Sequence, residues 1–196
     1  LLIAIKRNNI VYLGSDTQTS KGNFKRNFTD IERLKITKLD NDILIGTVGN
    51  VYAGNVIKMD KSLSSFPKEE KLTKEFIVNN IVSTVFETSE KIKMIKNENG
   101  IKKLEILFII AKNSDLFLVL SGGTVLVIDE YASIGSGVDA ANVIIRNQII
   151  NDPKSIIKEA LTYVSSFESS VSAPFVFINT QDMKFEIEWG FYVNCT

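Results

Sequence analysis

The stretch that decides the fold is residues 1–22, which read LLIAIKRNNIVYLGSDTQTSKG. Two apolar segments, Leu1 to Ile5 and Ile10 to Leu13, flank a polar turn at Asn8-Asn9. This pattern predicts a β-hairpin at the start of the chain. The polar segment that follows, Thr17 to Arg33, is expected to be irregular and partly exposed.

A second hairpin and two helices are predicted next. Leu34 to Leu39 and Asp42 to Val48 alternate as paired strands do. Val51 to Phe66 has a loose helical period. A longer helix is predicted from Thr73, as its N-cap, through about Lys96.

The second half of the chain repeats this order of strands followed by helices. The predicted elements are strands over Ile101 to Ala111, Leu116 to Leu120 and Val125 to Ile128, a small-residue turn over Ser133 to Gly137, helices over Val138 to Ile150 and Pro153 to Phe167, and strands over Ala173 to Ile178 and Phe185 to Tyr192. Two strand-rich blocks, each followed by a helix pair, predict an α+β four-layer α/β/β/α sandwich with two antiparallel sheets. We expect residues 1–196 to form one domain, with an extra C-terminal strand in residues 181–196.

Composition excludes several chemistries. The chain has no histidine, which rules out Ser–His–Asp catalysis and histidine-built zinc sites. Its single cysteine, Cys195, cannot form an internal disulfide and indicates a reducing cytoplasm. Equal numbers of basic and acidic side chains, 23 each, give no electrostatic reason to expect nucleic acid as a partner. No segment approaches the roughly 20 apolar residues of a membrane helix, and no cofactor is expected.

Four positions along the chain are candidates for a catalytic site. Asp16 follows the first hairpin, Lys35 starts the second, Gly49 ends it, and Ser136 lies in a Gly-Ser-Gly turn before a helix. This ordered set resembles the proteasome β subunits and the bacterial peptidase HslV, which are N-terminal-nucleophile hydrolases. The resemblance covers roughly residues 1 to 180.

The resemblance implies a threonine-type peptidase whose nucleophile is the first residue of the mature chain. Asp16 matches the family's aspartate if one residue precedes Leu1. By the same resemblance, Lys35 is the catalytic lysine and Asp16 holds it. The backbone N–H of Gly49 forms the oxyanion hole, and Ser136 helps to hold the N-terminal amine.

The physical chemistry of this set is coherent. A threonine hydroxyl is a weak nucleophile and needs a base. A free α-amine, with an ordinary pKa of about 7.7–8.0, can serve at working pH. A nearby lysine ammonium lowers the pKa of that amine, and a backbone N–H stabilises the developing oxyanion.

A further position lies after the last long helix, where the proteasome subunits carry an aspartate shortly before a serine. Ser172 can match that serine, which places Ser169 where the aspartate belongs. Glu168 is one residue away from this place.

Two alternatives to a peptidase stay open. If Leu1 is the true terminus, the chain has no nucleophile there and is a non-catalytic structural or binding subunit, in which Asp16 and Lys35 persist as an ion pair. An amidase of the same fold, acting on a small molecule, is a third hypothesis, because fold alone does not determine the substrate. For the peptidase, the resemblance implies a polypeptide substrate, a homo-oligomeric ring and an AAA+ ATPase as a possible partner.

Overall fold

The computed structural model describes residues 1–21, 23–67, 71–148 and 152–189. Its strands, in chain order, are β1 (Leu2–Arg7), β2 (Ile10–Asp16), β3 (Gln18–Lys21), β4 (Phe24–Asn27), β5 (Ile36–Lys38), β6 (Leu44–Gly49), β7 (Ile95–Glu98), β8 (Ile101–Leu104), β9 (Ile106–Lys112), β10 (Asp115–Val119), β11 (Val125–Val127), β12 (Tyr131–Ile134), β13 (Phe175–Asn179) and β14 (Glu186–Glu188). Its helices are α1 (Val51–Lys58), α2 (Lys74–Phe76), α3 (Ser83–Lys91), α4 (Val138–Asn147) and α5 (Pro153–Ser165). A π-helical stretch, Ile77–Val82, joins α2 to α3, and short 3-10 turns lie at Ile31–Arg33 and Lys61–Ser64.

Two five-stranded antiparallel sheets form the centre of the fold. The first sheet has the strand order β12-β1-β2-β13-β14, and the second has the order β11-β10-β9-β6-β5. The pairs β3–β4 and β7–β8 form separate two-stranded ribbons. The N-terminal hairpin, β1–β2, therefore lies inside the first sheet and away from both of its edges.

Strand β1 shows how the layers are held together. Leu2 and Ala4 are buried in the core between the two sheets, whereas Ile3 and Ile5 are buried in the core beneath α4 and α5. Successive side chains of a strand point to opposite faces. A strand whose residues are all apolar therefore suits a layer that is covered on both sides.

The outer face of the second sheet packs against the first group of helices. Phe108 and Ile110 of β9 share a core with Ile57 of α1 and Ile81 of the π-helical stretch. The layers therefore run helices, sheet, sheet, helices. The predicted four-layer α/β/β/α sandwich with two antiparallel sheets is confirmed.

Local signals predicted from the sequence are present in the structure. Asn8 and Asn9 both adopt positive φ, 51° and 61°, as a tight hairpin turn requires. Thr73 caps the helical run, since its Oγ1 accepts the backbone N–H of Phe76 at 3.0 Å. Asp152 caps α5 through the backbone N–H of Ser155 at 2.9 Å.

Two predictions about irregular segments are wrong in part. The segment from Thr17 to Arg33 contains the β3–β4 ribbon, and all four residues of β4 are exposed, so the strand has no apolar face to signal it. The predicted turn over Ser133 to Gly137 begins inside β12, which pairs with β1 as an edge strand. Only four residues long, β12 is too short to show a clear alternation.

Two element boundaries also differ from the prediction. The long helical run ends at Lys91 instead of Lys96, and Lys93 takes a positive φ of 59° that an α-helix does not allow. The chain then forms β7. The predicted strand from Ile101 to Ala111 is divided at Glu105 into β8 and β9.

The extra C-terminal strand is present in part. Within the predicted range Phe185 to Tyr192, β14 pairs with β13 through Glu186–Glu188. Residues 190–196, including Cys195, lie outside the described residues.

Candidate active site

The register of the first sheet determines what surrounds the start of the chain. Leu2 on β1 pairs with Ile134 on β12 in an antiparallel register. The pairing ends there, and the chain then turns through Gly135 and Ser136 close to Leu1.

Asp16 lies at the end of β2 with no solvent exposure of its side chain. Its Oδ1 accepts hydrogen bonds from the Leu1 amine and from the Lys35 Nζ, each at 2.6 Å. Its Oδ2 accepts the backbone N–H of Gln18 at 3.0 Å. A buried carboxylate is tolerated when it is paired and hydrogen-bonded in this way. The structure thus brings Asp16 and Lys35, which are 19 residues apart in sequence, into direct contact.

Lys35 reaches Asp16 from the other sheet. It immediately precedes β5, and its carbonyl accepts the backbone N–H of Thr47 on β6 at 2.9 Å. Its side chain is 19% exposed, in contrast to the fully buried Asp16. The Asp16–Lys35 pair therefore joins the two sheets at the start of the chain.

The Leu1 amine is buried beside this pair. Burial, helped by the charge of Lys35, lowers the pKa of the amine to about 6, against the opposing influence of Asp16. In a chain that begins at Leu1, the amine is therefore mostly uncharged at neutral pH. In a chain with a residue before Leu1, this atom is an amide nitrogen, whose N–H can donate to Asp16 in the same way.

A cavity of about 450 Å³ opens beside Leu1. Lys35, Gly49 and Ser136 border it, and Asp16 lies behind Leu1 and Lys35. The side chain of Leu1 is fully buried, so it is the backbone of Leu1 that meets the cavity. The four predicted site residues are thus gathered around the point where a preceding residue would lie.

A glycine is required at position 49, the last residue of β6, where the backbone turns towards α1. It adopts φ +120°, and a Cβ at this position would lie 2.4 Å from the carbonyl oxygen of Glu105. The next residue, Asn50, caps α1 by accepting the backbone N–H groups of Tyr52 and Ala53. A glycine backbone therefore forms this part of the cavity wall.

Ser136 is exposed in the turn between β12 and α4. The glycines on either side, Gly135 and Gly137, have φ of +102° and +75°. A Cβ on Gly135 would approach the nitrogen of Leu1 to 3.3 Å. Among the described residues the Ser136 hydroxyl has no hydrogen-bond partner, which leaves it free to contact a group in the cavity.

After α5, the residue that borders the cavity is Ser170, which the sequence did not single out for a role. Its hydroxyl and backbone N–H donate to Glu168 Oε1 at 2.8 and 3.1 Å, and these bonds hold the pKa of Glu168 below its usual range. Neither Ser169 nor Ser172 borders the cavity. Ser172 instead donates to Asn27 at 3.1 Å. One feature of the sequence could have indicated Ser170: it follows Glu168 by two residues, a spacing at which such side chains commonly form local hydrogen bonds.

Lys58 is a second residue that the sequence did not indicate. It lies in the last turn of α1, borders the cavity, and donates a hydrogen bond to the carbonyl of Leu34. Burial, with a smaller contribution from Lys35, lowers the pKa of Lys58 to about 8. A lone lysine at the end of a helix is usually a solvated charge, so the sequence around Lys58 did not indicate a functional role.

The structure offers no sign of a metal centre or a membrane segment in the residues that it describes. No group of three histidine, cysteine, aspartate or glutamate side chains is placed to hold a metal ion there. Nor is any described helix both long and apolar enough to cross a bilayer.

The fold and the cavity define a class of protein. The four-layer sandwich is the fold of solved structures that include HslV and Anbu. A family model described as proteasome subunit matches residues 2–170. The chain belongs to the proteasome subunit family.

Solved structures agree with this assignment at the level of the fold. BPH from Thiobacillus denitrificans superposes with a TM-score of 0.74 at 16% identity, covering 91% of this chain and 96% of that chain. HslV from Trypanosoma brucei gives 0.62 at 17% identity over 91% and 97% of the two chains. Anbu from Yersinia bercovieri gives 0.72 at 13% identity over 96% and 86%. No curated protein sequence matches the chain.

Proposed function

We propose that this chain is a threonine-type peptidase subunit whose nucleophile is a threonine immediately before Leu1. The observation that carries the proposal is the contact of Lys35 with the buried Asp16 at 2.6 Å, next to the Leu1 nitrogen and an open cavity. Charged groups are rarely buried unless they are paired. A pair in this position supports a role in chemistry at the residue joined to Leu1.

The reaction proceeds in two stages. The threonine hydroxyl oxygen attacks the substrate carbonyl carbon, and its proton passes to the threonine's own α-amine. The carbon–nitrogen bond of the peptide then breaks, the leaving nitrogen takes this proton, and an ester remains. Water then adds to the ester carbonyl, and the ester bond breaks to release the acid product and restore the hydroxyl.

Each site residue has a separate part in this scheme. The ammonium of Lys35 lowers the pKa of the threonine amine so that it is a free base near neutral pH, and Asp16 positions Lys35. The backbone N–H of Gly49 receives the oxyanion. Ser136 and Ser170, which both border the cavity beside Leu1, hydrogen-bond near the amine.

Intact mass and N-terminal sequencing of the mature protein test the nucleophile directly. We expect a threonine before Leu1 and a covalent adduct with epoxomicin, the compound held by a solved structure of Thiobacillus denitrificans BPH. Lys35→Ala should abolish both the adduct and peptide hydrolysis. Lys38→Ala, three residues after Lys35 at the end of β5 and 4.0 Å from Asp42, is the matched control and should retain both. Hydrolysis at the wild-type rate in a correctly assembled Lys35→Ala protein contradicts the mechanism.

A non-catalytic subunit is the second candidate function. The observation that favours it is the Lys35–Asp16 contact at 2.6 Å, which joins the two sheets and therefore also suits a purely structural ion pair. A mature chain that begins at Leu1 has no hydroxyl nucleophile at its first position. A mature mass that begins at Leu1, with neither adduct nor hydrolysis, establishes this function in place of the first.

For the assembly, we propose a homo-oligomeric ring that takes polypeptide substrates and works with an AAA+ ATPase. Oligomers close into rings when the rotation between subunits closes, and otherwise extend as helices. The solved Anbu complex from Pseudomonas aeruginosa, with a TM-score of 0.71 at 11% identity, is described as a helical assembly. Electron microscopy of the purified protein distinguishes a ring from an open helix, and a monomeric mass in light scattering contradicts both.

A further inference from the structure

The cavity beside Leu1 has an uneven charge. Three cationic side chains border it, Arg33, Lys35 and Lys58, and no carboxylate does so among the described residues that line it. Asp16, behind the wall, offsets the charge of Lys35 alone. The lining of the cavity is therefore positively charged.

The side chain of Lys58 is held close to Lys35 at the border of the cavity. Val51, Asn55 and Lys58 recur at helical spacing and form the face of α1 that borders the cavity. Val51 and Lys58 are separated by roughly 10 Å along the helix axis. The side chain of Lys58 nevertheless ends beside Lys35, since it donates to the carbonyl of the neighbouring Leu34.

The ammonium of Lys58 has no anionic partner among the described residues. Its hydrogen-bond acceptor is an uncharged carbonyl, and an ammonium has three donors. Burial and the nearby Lys35 lower its pKa to about 8, which leaves it mostly charged at neutral pH. A carboxylate arriving in the cavity can therefore supply the missing counter-charge.

Arg33 extends the positive charge to the solvent-exposed side of the cavity. Its side chain is 54% exposed, and its contact with Asp30 is loose, at 3.9 Å. An exposed charge of this kind contributes to attraction and steering more than to tight binding. The recognition of a bound group therefore depends mainly on Lys58.

We propose that the cavity selects peptides with an acidic residue beside the cleaved bond, and that Lys58 is the residue that recognises its carboxylate. This inference rests on the proposed function in taking the cavity as the substrate site. A purely structural role for Lys58, as a cation at the C-terminal end of α1, predicts no preference among substrates.

The test uses three blocked peptide amides that differ only in their last residue: acetyl-Ala-Ala-Glu-amide, its Gln isostere and its Lys counterpart. Dissociation constants are measured at pH 7 by ligand-observed NMR titration, which does not require hydrolysis. We expect the Glu peptide to bind at least about tenfold more tightly than the Gln peptide, a ratio equivalent to about 1.4 kcal/mol. Raising the salt concentration should reduce this ratio. Fluorogenic versions of the three peptides report hydrolysis separately.

Variants of Lys58 assign the preference to one side chain. Lys58→Met should bring the Glu-to-Gln ratio close to one, and Lys58→Arg should preserve it. Lys58→Glu should shift the preference to the Lys peptide. Lys61→Met, just beyond α1 and outside the cavity lining, is the matched control and should keep the wild-type ratio.

The two proposals fail in different ways. Tighter binding of the Glu peptide without any hydrolysis supports the acidic preference and counts against the peptidase. Hydrolysis of all three peptides with equal binding supports the peptidase and overturns the acidic preference. A wild-type Glu-to-Gln ratio near one overturns it whether or not the Lys58 variants fold, and a Glu preference that survives Lys58→Met overturns the assignment to Lys58.

Discussion

Replacing Lys35 with methionine removes the cation that faces Asp16 while keeping the length of the side chain. Asp16 is fully buried and loses the donor at 2.6 Å on its Oδ1. With a residue before Leu1, the Leu1 nitrogen is an uncharged amide, which cannot replace the lost cation. Breaking a buried ion pair typically costs about 3–5 kcal/mol. Because Lys35 borders the cavity, water can reach the vacated space, and we expect about 2–3 kcal/mol.

The double variant, Asp16→Asn with Lys35→Met, should recover part of this loss. It removes both charges together, and the asparagine oxygen can still accept a hydrogen bond from Leu1 or Gln18. We expect it to be about 1–2 kcal/mol more stable than Lys35→Met alone. Such a recovery is the sign of direct coupling between the two side chains, because independent sites add their losses.

Calorimetric unfolding at pH 7.5 and at one protein concentration measures both effects, since assembly makes Tm depend on concentration. For a chain of this size, about 2–3 kcal/mol corresponds to a fall in Tm of roughly 4–12 °C. Asp30→Asn is the control, because its pair with Arg33 is exposed on both sides and spans 3.9 Å. It should cost less than about 0.5 kcal/mol. A double variant as unstable as the sum of the single variants would refute the reasoning.

Two further perturbations test the backbone and the buried amine. Position 49 has φ +120°, and Gly49→Ala places a Cβ 2.4 Å from the Glu105 carbonyl oxygen. The free energy of unfolding, measured with denaturant, should therefore fall by more than about 2 kcal/mol. Gly122→Ala, which meets nothing within 4 Å, should change little, and equal losses contradict the steric argument. For a chain that begins at Leu1, the folded amine has a pKa of about 6 against an ordinary 8.0, so the unfolded state binds more protons between these values. The free energy of unfolding of this protein should then rise by about 1–3 kcal/mol from pH 6 to pH 8. N-acetylated protein should lack this rise. A free energy of unfolding that does not change with pH in the free-amine protein contradicts the prediction.

Elements that depend on neighbours in the chain could be predicted from the sequence. The turn at Asn8-Asn9 needs two residues that tolerate positive φ, and both asparagines adopt it. Thr73 and Asp152 each place a side-chain oxygen within reach of an N–H three residues later. The hairpin predicted at the start of the chain is present as β1 and β2, inside the first sheet.

Short or weakly patterned strands could not be predicted with the same success. β4 is exposed on both faces, so no apolar alternation marks it. β12 is held by its pairing with β1, a partner that is distant in sequence. Their formation depends on the ladder that they join, and a four-residue pattern carries too little information about that ladder.

The sequence alone determined which residues stand at the ends of the hairpins. It therefore indicated that Asp16 and Lys35 could contact each other. Only the tertiary structure decided how they meet and what else joins them. The two residues come from different sheets, and sheet packing sets the 2.6 Å between them. The same packing brings Ser170 to the cavity instead of Ser172, and turns one face of α1 so that Lys58 borders it. These outcomes depend on contacts between distant segments, whose geometry is set by how the cores fill and not by any local preference of the chain.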